Sequence, residues 1–214
     1  MAEAIFMSAG VPDPRRGQEF AATADTVAIT AAVSALAYVV LGRRRLIWGG
    51  HPAITPMIVV ISEGMRIDYS EWVTLYQSEF FKDEFPEDNE RFRNIVFTEQ
   101  VDGDREASLK LMRQRMFTEN QFNAAVFIGG MGGIVAEYEM FRQLQPHANV
   151  IPVTSTGGAS LDVAAKLGDV PSDFQDQRDY VALFHEYLGV SVKEERFRIP
   201  GEQPVVVEER FWRP

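Results

Sequence analysis

The sequence predicts an α/β fold: a Rossmann-like open, mostly parallel sheet with helices on both faces. Two observations predict it. Short apolar runs that read as buried strands, such as Ala4 to Ala9 and Ala124 to Ile128, alternate with longer stretches in helical spacing. Three of these runs end in a Gly-Gly turn, at Gly49-Gly50, Gly129 to Gly133 and Gly157-Gly158. With parallel strands and right-handed crossovers, all three turns face one edge of the sheet.

Ala4-Ile-Phe-Met-Ser-Ala9 reads as the first strand, at the sheet centre. It runs into Gly10-Val-Pro-Asp-Pro-Arg-Arg-Gly17. Ser8 and Gly10 then sit at a strand's carboxyl end, where open α/β sheets bind ligands. Arg15 and Arg16 can meet an anion there or stand as solvated loop cations. Thr23 to Gly42 reads as a helix capped by Thr23 or Asp25, with Val27, Ala31, Leu36 and Val40 as its apolar face. Arg43-Arg44-Arg45 follows the helix end, where cations meet the negative end of the dipole. The run therefore reads as helix-end chemistry, not a nucleic-acid patch.

Arg45 to Gly50 is a second strand entering a second glycine turn, and Ala53 to Met65 carries Ile54, Met57, Ile58 and Ile61 at helical spacing. Pro52 suits a first helical turn. Gly49, Gly50 and His51 thus read as a glycine-lined helix N-terminus, with His51 either donating to phosphate or ribose or serving structure. Trp72 to Ser78 is a third strand. Glu79 to Arg93 is acidic, aromatic and broken by Pro86, so it reads as a lid, a partner surface or an irregular loop pinned by its phenylalanines. Asn94 to Thr98 is a fourth strand. Asp104 to Asn120 is a helix capped by Asp104, its Leu109, Met112 and Met116 stripe facing the core.

The stretch Ala124 to Phe141 is the most informative. A buried strand meets Gly129, Gly130, Met131, Gly132 and Gly133, and a helix follows with Ile134, Val135, Tyr138 and Phe141 on one side. Glycine lets a ligand approach the backbone closely. The helix start aims unpaired N–H groups and a positive dipole end at the turn. A phosphate is the expected occupant. The spacing is neither the dinucleotide fingerprint nor a Walker A loop. Asn149 to Ser155 is a further strand, ending in Thr156-Gly-Gly-Ala-Ser160 and a short helix to Leu167. Asp176 to Leu188 reads as an amphipathic helix, and the tail from Val190 as irregular.

The 214 residues suit one domain over 1–170 plus an appendage over 171–214, a helix and tail packing on the domain or on a partner subunit. There is no cysteine, so disulfides and thiolate metal sites are excluded. A formal charge of −10 argues against nucleic acid as the main partner. Glu3 sits early with no basic region before an apolar core, and the apolar stretch Ala28 to Leu41 is short for a membrane helix. A cytoplasmic protein without a membrane segment is expected.

Ile5 to Pro12, Leu46 to Pro56, Phe127 to Gly133, Glu137 to Phe141 and Thr154 to Ala159 together resemble the SLOG superfamily. It joins the LOG cytokinin-activating phosphoribohydrolases to the DprA/Smf DNA-processing proteins. The likeness is greatest to the branch found beside TIR and Sir2 domains in bacterial antiphage systems, taken to sense NAD-derived nucleotides such as cyclic ADP-ribose isomers. It covers roughly residues 4 to 168. The LOG enzymes carry Pro-Gly-Gly-x-Gly-Thr-x-x-Glu. Here Gly129, Gly130 and Gly132 match, while Ile128 replaces the proline and Gly133 the threonine. Ala136 stands at the catalytic glutamate's position and Glu137 one residue later, a rotation of about 100° on a helix.

The resemblance implies a nucleotide-sensing module for an ADP-ribose-like or cyclic ligand. Backbone N–H groups of the glycine turns would hold phosphate. Ser8, His51, Thr154, Ser155 and Thr156 would contact sugar or phosphate, and Glu137 would accept from ribose hydroxyls. Two other readings stand beside it: a LOG-like nucleotide N-glycosidase with Glu137 or Glu79 as the carboxylate, and a structural domain whose acidic, aromatic loop binds a protein. No cofactor or metal beyond the nucleotide is expected. The implied partners are a second copy, forming a homodimer, and a TIR- or Sir2-type effector.

Overall fold

The structure, a computed structural model, describes residues 3–65 and 67–212. Six strands form one all-parallel sheet: β1 (Ala4–Gly10), β2 (Arg45–Trp48), β3 (Val73–Ser78), β4 (Asn94–Thr98), β5 (Ala124–Gly129) and β6 (Asn149–Val153), in the order β4-β3-β2-β1-β5-β6. The central strands are buried on both faces, which is why they read as continuous apolar runs. Along β5, Ala124, Val126 and Ile128 enter one core while Ala125 and Phe127 enter the other.

A four-residue turn, α1 (Gln18–Ala21), precedes α2 (Thr26–Val40). The Asp25 carboxylate caps α2 by accepting from the N–H groups of Val27 and Ala28. The buried face of α2 is only partly the one expected: Leu36 and Val40 are on it, Val27 and Ala31 are not. Ala28, Ile29, Ala32, Val33, Leu36 and Val40 enter the core, whereas Val27 is 77% exposed and Ala31 is also outside. So many apolar residues ring this helix that spacing alone leaves its orientation open.

α3 (Thr55–Glu63) begins later than expected, with Pro56 in its first turn. Pro52 lies in a preceding turn closed by the His51 carbonyl, which accepts from Ile54 and Thr55. α4 (Tyr69–Trp72) leads into β3. Two 3₁₀ turns, Glu79–Glu84 and Glu87–Arg91, make the β3–β4 connection. α5 (Arg105–Thr118), α6 (Gly132–Leu144) and α7 (Ser160–Leu167) cover the face opposite α2 and α3. Phe6 of β1 stacks on Phe141 of α6 and meets Phe117 of α5 edge-on, with centroids 5.6 and 4.8 Å away. Such pairs add roughly 0.5–1.5 kcal/mol each beyond area burial. They fix both helices at the β1–β5 junction.

α8 (Asp173–Asp176) and α9 (Tyr180–Tyr187) pack on the α2 side. The residues after α9 return along α2 and β2. The Phe197 N–H donates to the Gly42 carbonyl, and the Trp72 indole donates to the carbonyls of Phe197 and Arg198. The arginine run does more than neutralise a helix end. The Arg43 guanidinium bonds the Val39 carbonyl, as helix-end chemistry requires, but also the Glu194 carbonyl. Arg44 grips the Glu194 carboxylate through both terminal nitrogens, at 2.6 and 3.1 Å. Arg213 and Pro214 of the tail lie outside the described residues.

Candidate functional site

β1 and β5 are adjacent, yet the chain leaves them toward opposite faces, into α2 and α6. A crevice must open between their carboxyl ends. It holds a cleft of about 650 Å³, within the range of small-molecule pockets. The ends of β5, β1, β2 and β3 line it in that order, with the first turns of α5 and α6 and the β3–β4 connection as walls.

Its β5 end is built from backbone. The Gly130 N–H donates to the Gly10 carbonyl at 2.7 Å, tying the glycine turn to β1. Gly129 and Gly130 are both left-handed, at φ 57° and 71°. A Cβ on Gly130 would lie 2.0 Å from Ile134 Cδ1. The turn delivers Met131 as the N-cap of α6, with no side chain capping the helix. The N–H groups of Met131, Gly132 and Gly133 therefore have no acceptor among the described residues. Gly132 and Gly133 are exposed, and a Cβ on Gly132 would meet nothing within 4 Å. Unpaired donors thus stand at the positive end of a 13-residue helix, a chemistry that suits an anion.

His51 stands at the same end, its ring beside Gly10 and Gly130, with the Arg16 guanidinium close enough to act on it. Burial, then the Arg16 guanidinium, holds the His51 imidazole below its usual pKa, so the ring is neutral at pH 7. Its Nδ1 accepts from the Ala53 N–H, which places the ring proton on Nε2. That nitrogen lies 3.5 Å from where a Cβ on Gly10 would be, within the cleft lining. His51 is thus a fixed donor rather than a cation.

Ser8, Arg113 and Glu137 occupy the middle. Ser8 Oγ donates to Glu137 Oε2 at 2.5 Å, and Arg113 Nε faces Oε1 at 3.4 Å. The one-residue displacement of the glutamate does not turn it from the cleft: Ala136 and Glu137 both line it. Toward β3 stand Gln77, Phe81, Glu84, Phe85, Arg105 and Glu106. The cleft therefore faces three arginines and three glutamates, balanced in a chain of formal charge −10. Trp48 also lines it, and its buried indole N–H has no partner among the described residues.

Of the residues singled out from sequence, Ser8, Gly10, Gly49, Gly50, His51, Gly130, Met131, Gly132, Gly133 and Glu137 meet in this cleft. Gly129, Thr154, Ser155, Thr156, Gly157 and Gly158 do not line it. They form a layer behind the glycine turn. Thr156 Oγ1 accepts from the Gly129 N–H at 2.9 Å, and the Ala159 N–H donates to the Gly130 carbonyl. Ser155 meets the Tyr180 hydroxyl, and Thr154 borders a separate pocket of about 280 Å³. Glu79 is exposed and outside the cleft, as is Arg15. Sequence reading missed Arg113, although a signal existed: a cation on the Leu109–Met112–Met116 stripe is out of place on a core face. Met112 is buried, as a core stripe requires, and also lines the cleft beneath Gly49.

Among the described residues no helix is long and apolar enough to cross a membrane. A family model described as the SLOG cluster3 family matches residues 19–188, most of the chain; the β1 end with Ser8 and Gly10, and Arg16, precede the match. No curated protein matches it.

Proposed function

The chain belongs to the SLOG cluster3 family, and from that premise we propose that it is a nucleotide-sensing module. Its ligand is an NAD-derived or cyclic nucleotide of ADP-ribose type, read out in a signalling or antiphage defence context. The observation that carries this reading is the run of three unpaired N–H groups at Met131, Gly132 and Gly133, opening on a cleft with Arg16 and a neutral His51. Phosphate binds there. Ser8 and Glu137 meet ribose hydroxyls, and the Thr154 to Gly158 segment supports the phosphate loop from behind. No separate cofactor or metal takes part. The module acts in the cytoplasm as a homodimer and passes its signal to a TIR- or Sir2-type effector.

One observation favours a second reading, a LOG-like N-glycosidase. Glu137 faces the cleft with a serine and an arginine on its carboxylate, so a carboxylate is in place to polarise a ribose hydroxyl or a water.

Thermal stability against NAD, ADP-ribose, cyclic ADP-ribose isomers, AMP and cyclic dinucleotides, with each mixture checked for products, tests both. A ligand at 100 times its Kd adds roughly 2.7 kcal/mol. Stabilisation with intact ligand supports the sensor, and release of base supports the glycosidase through Glu137. No shift across the panel overturns the nucleotide reading.

A further inference from the structure

The two ends of the cleft differ in chemistry, and that difference sets a direction. At the β5 end the polar lining is backbone N–H, Arg16 and the His51 Nε2–H, donors without a carboxylate among them, and the Phe20 ring and Met131 are the apolar groups beside them. At the β3 end the helix start carries its own carboxylate: Asp104 caps α5 by accepting from the Ala107 N–H. Phe81 and Phe85 supply apolar rings instead, both half-exposed. The Arg105 guanidinium sits 5.8 Å from the Phe81 ring centroid. Glu84 and Glu106 supply exposed carboxylates, that of Glu106 paired with the Arg105 guanidinium through one oxygen. With two carboxylates against one guanidinium, such an end is less favourable to phosphate than the β5 end. It suits a flat heterocycle that stacks on a ring and donates from exocyclic N–H groups.

The spacing fits one ligand lying across the strand ends. Four strand ends, with neighbours about 4.8 Å apart, span about 14 Å. Ser8 and Glu137 lie between the two ends, at the ends of β1 and the second turn of α6.

We infer that the nucleotide binds in one direction, phosphate on the α6 N-terminus and base over Phe81 and Phe85, and that the β3–β4 connection therefore selects a base carrying amino donors. This rests on the nucleotide reading. Phe81 stacks on the base, Arg105 holds the far side of that compartment, and Glu84 or Glu106 accepts from the exocyclic amine.

The full chain titrated calorimetrically with AMP, IMP and ribose 5-phosphate tests the direction. Wild type is expected to prefer AMP over IMP. Phe81→Ala should weaken AMP about tenfold or more, as stacking losses do, and leave ribose 5-phosphate unchanged. Arg105→Gln, at an exposed position, gives a second handle that does not disturb the core, with the same split to a smaller degree. Equal loss of AMP and ribose 5-phosphate in both variants, or no loss in either, overturns the direction while the site stands. So does a selective loss of AMP in Phe20→Ala, on the opposite wall. If wild type binds none of the three, nor ADP-ribose, the nucleotide reading itself fails and this inference with it.

Discussion

Two glycine turns stand at neighbouring strand ends, Gly129 to Gly133 after β5 and Gly157-Gly158 after β6. In sequence they look alike. In space the first faces a cleft and the second faces protein. A Cβ on Gly157 would lie 1.9 Å from the Thr23 carbonyl oxygen, and one on Gly158 would lie 2.8 Å from the Gly130 carbonyl oxygen. A Cβ on Gly132 would lie in open space. The Gly158 N–H is already taken by Thr23 Oγ1, while those of Gly132 and Gly133 are free. A Gly-Gly pair after a strand thus says that something approaches the backbone closely. Whether that is ligand or chain depends on segments remote in sequence, here the Thr23–Ala24 corner.

The contrast can be broken by substitution. Gly157→Ala should have the largest effect. Left-handed strain at φ 66° combines with a backbone clash, for about 3 kcal/mol, read as a fall in Tm. Thr156→Val comes next. It leaves the buried Gly129 N–H without its acceptor, costing about 1–3 kcal/mol, and loosens the glycine turn from behind. Gly132→Val reverses the pattern. Its position is open and right-handed, so stability should stay within about 0.5 kcal/mol of wild type while nucleotide binding is lost. A stable Gly157→Ala, or a Gly132→Val that still binds, would remove the distinction between the turns.

The smallest effect comes from His51 and sharpens the same comparison. Its pKa is lowered by burial and by Arg16, so the unfolded chain takes up a proton before the folded one. Stability conferred by the neutral ring is complete above pH about 6.5 and falls as the pH drops from there toward the folded-state value. His51→Gln should flatten this part of a pH–stability curve. A bound phosphate favours the imidazolium, so saturating AMP should move the His51 titration, followed by proton NMR, to higher pH. A midpoint indifferent to AMP would separate His51 from the anion.

Much of this was legible from residue pattern. Ala124 to Ile128 reads as a strand because the run is apolar and bounded by glycine, and it forms β5 with one more residue. Asp25 and Asp104 were readable as caps because a carboxylate two or three residues ahead of the free N–H groups has one local use. What escaped was set by distance in sequence. Nothing near Arg44 shows that Glu194, 150 positions later, returns to hold it. The rotation of α2 was hidden by apolar residues on every side. The α3 start moved because the His51 carbonyl closes a turn first, and a proline is equally at home in that turn or in the helix. At the site, the donors that matter most at the β5 end are backbone groups, announced only by glycine. The β3 end is made of ordinary phenylalanine and charge, which no spacing marks as a binding surface.

The most direct test follows the two turns in one experiment. The ¹⁵N-labelled chain is titrated with ADP-ribose while the amide signals of Met131, Gly132 and Gly133 are compared with those of Gly157 and Gly158. Saturable shifts, large in the first group and slight in the second, are the expected result. Shifts at Gly157 and Gly158 alone, or none at Gly132 and Gly133 under saturating ligand, would contradict a phosphate site at the start of α6.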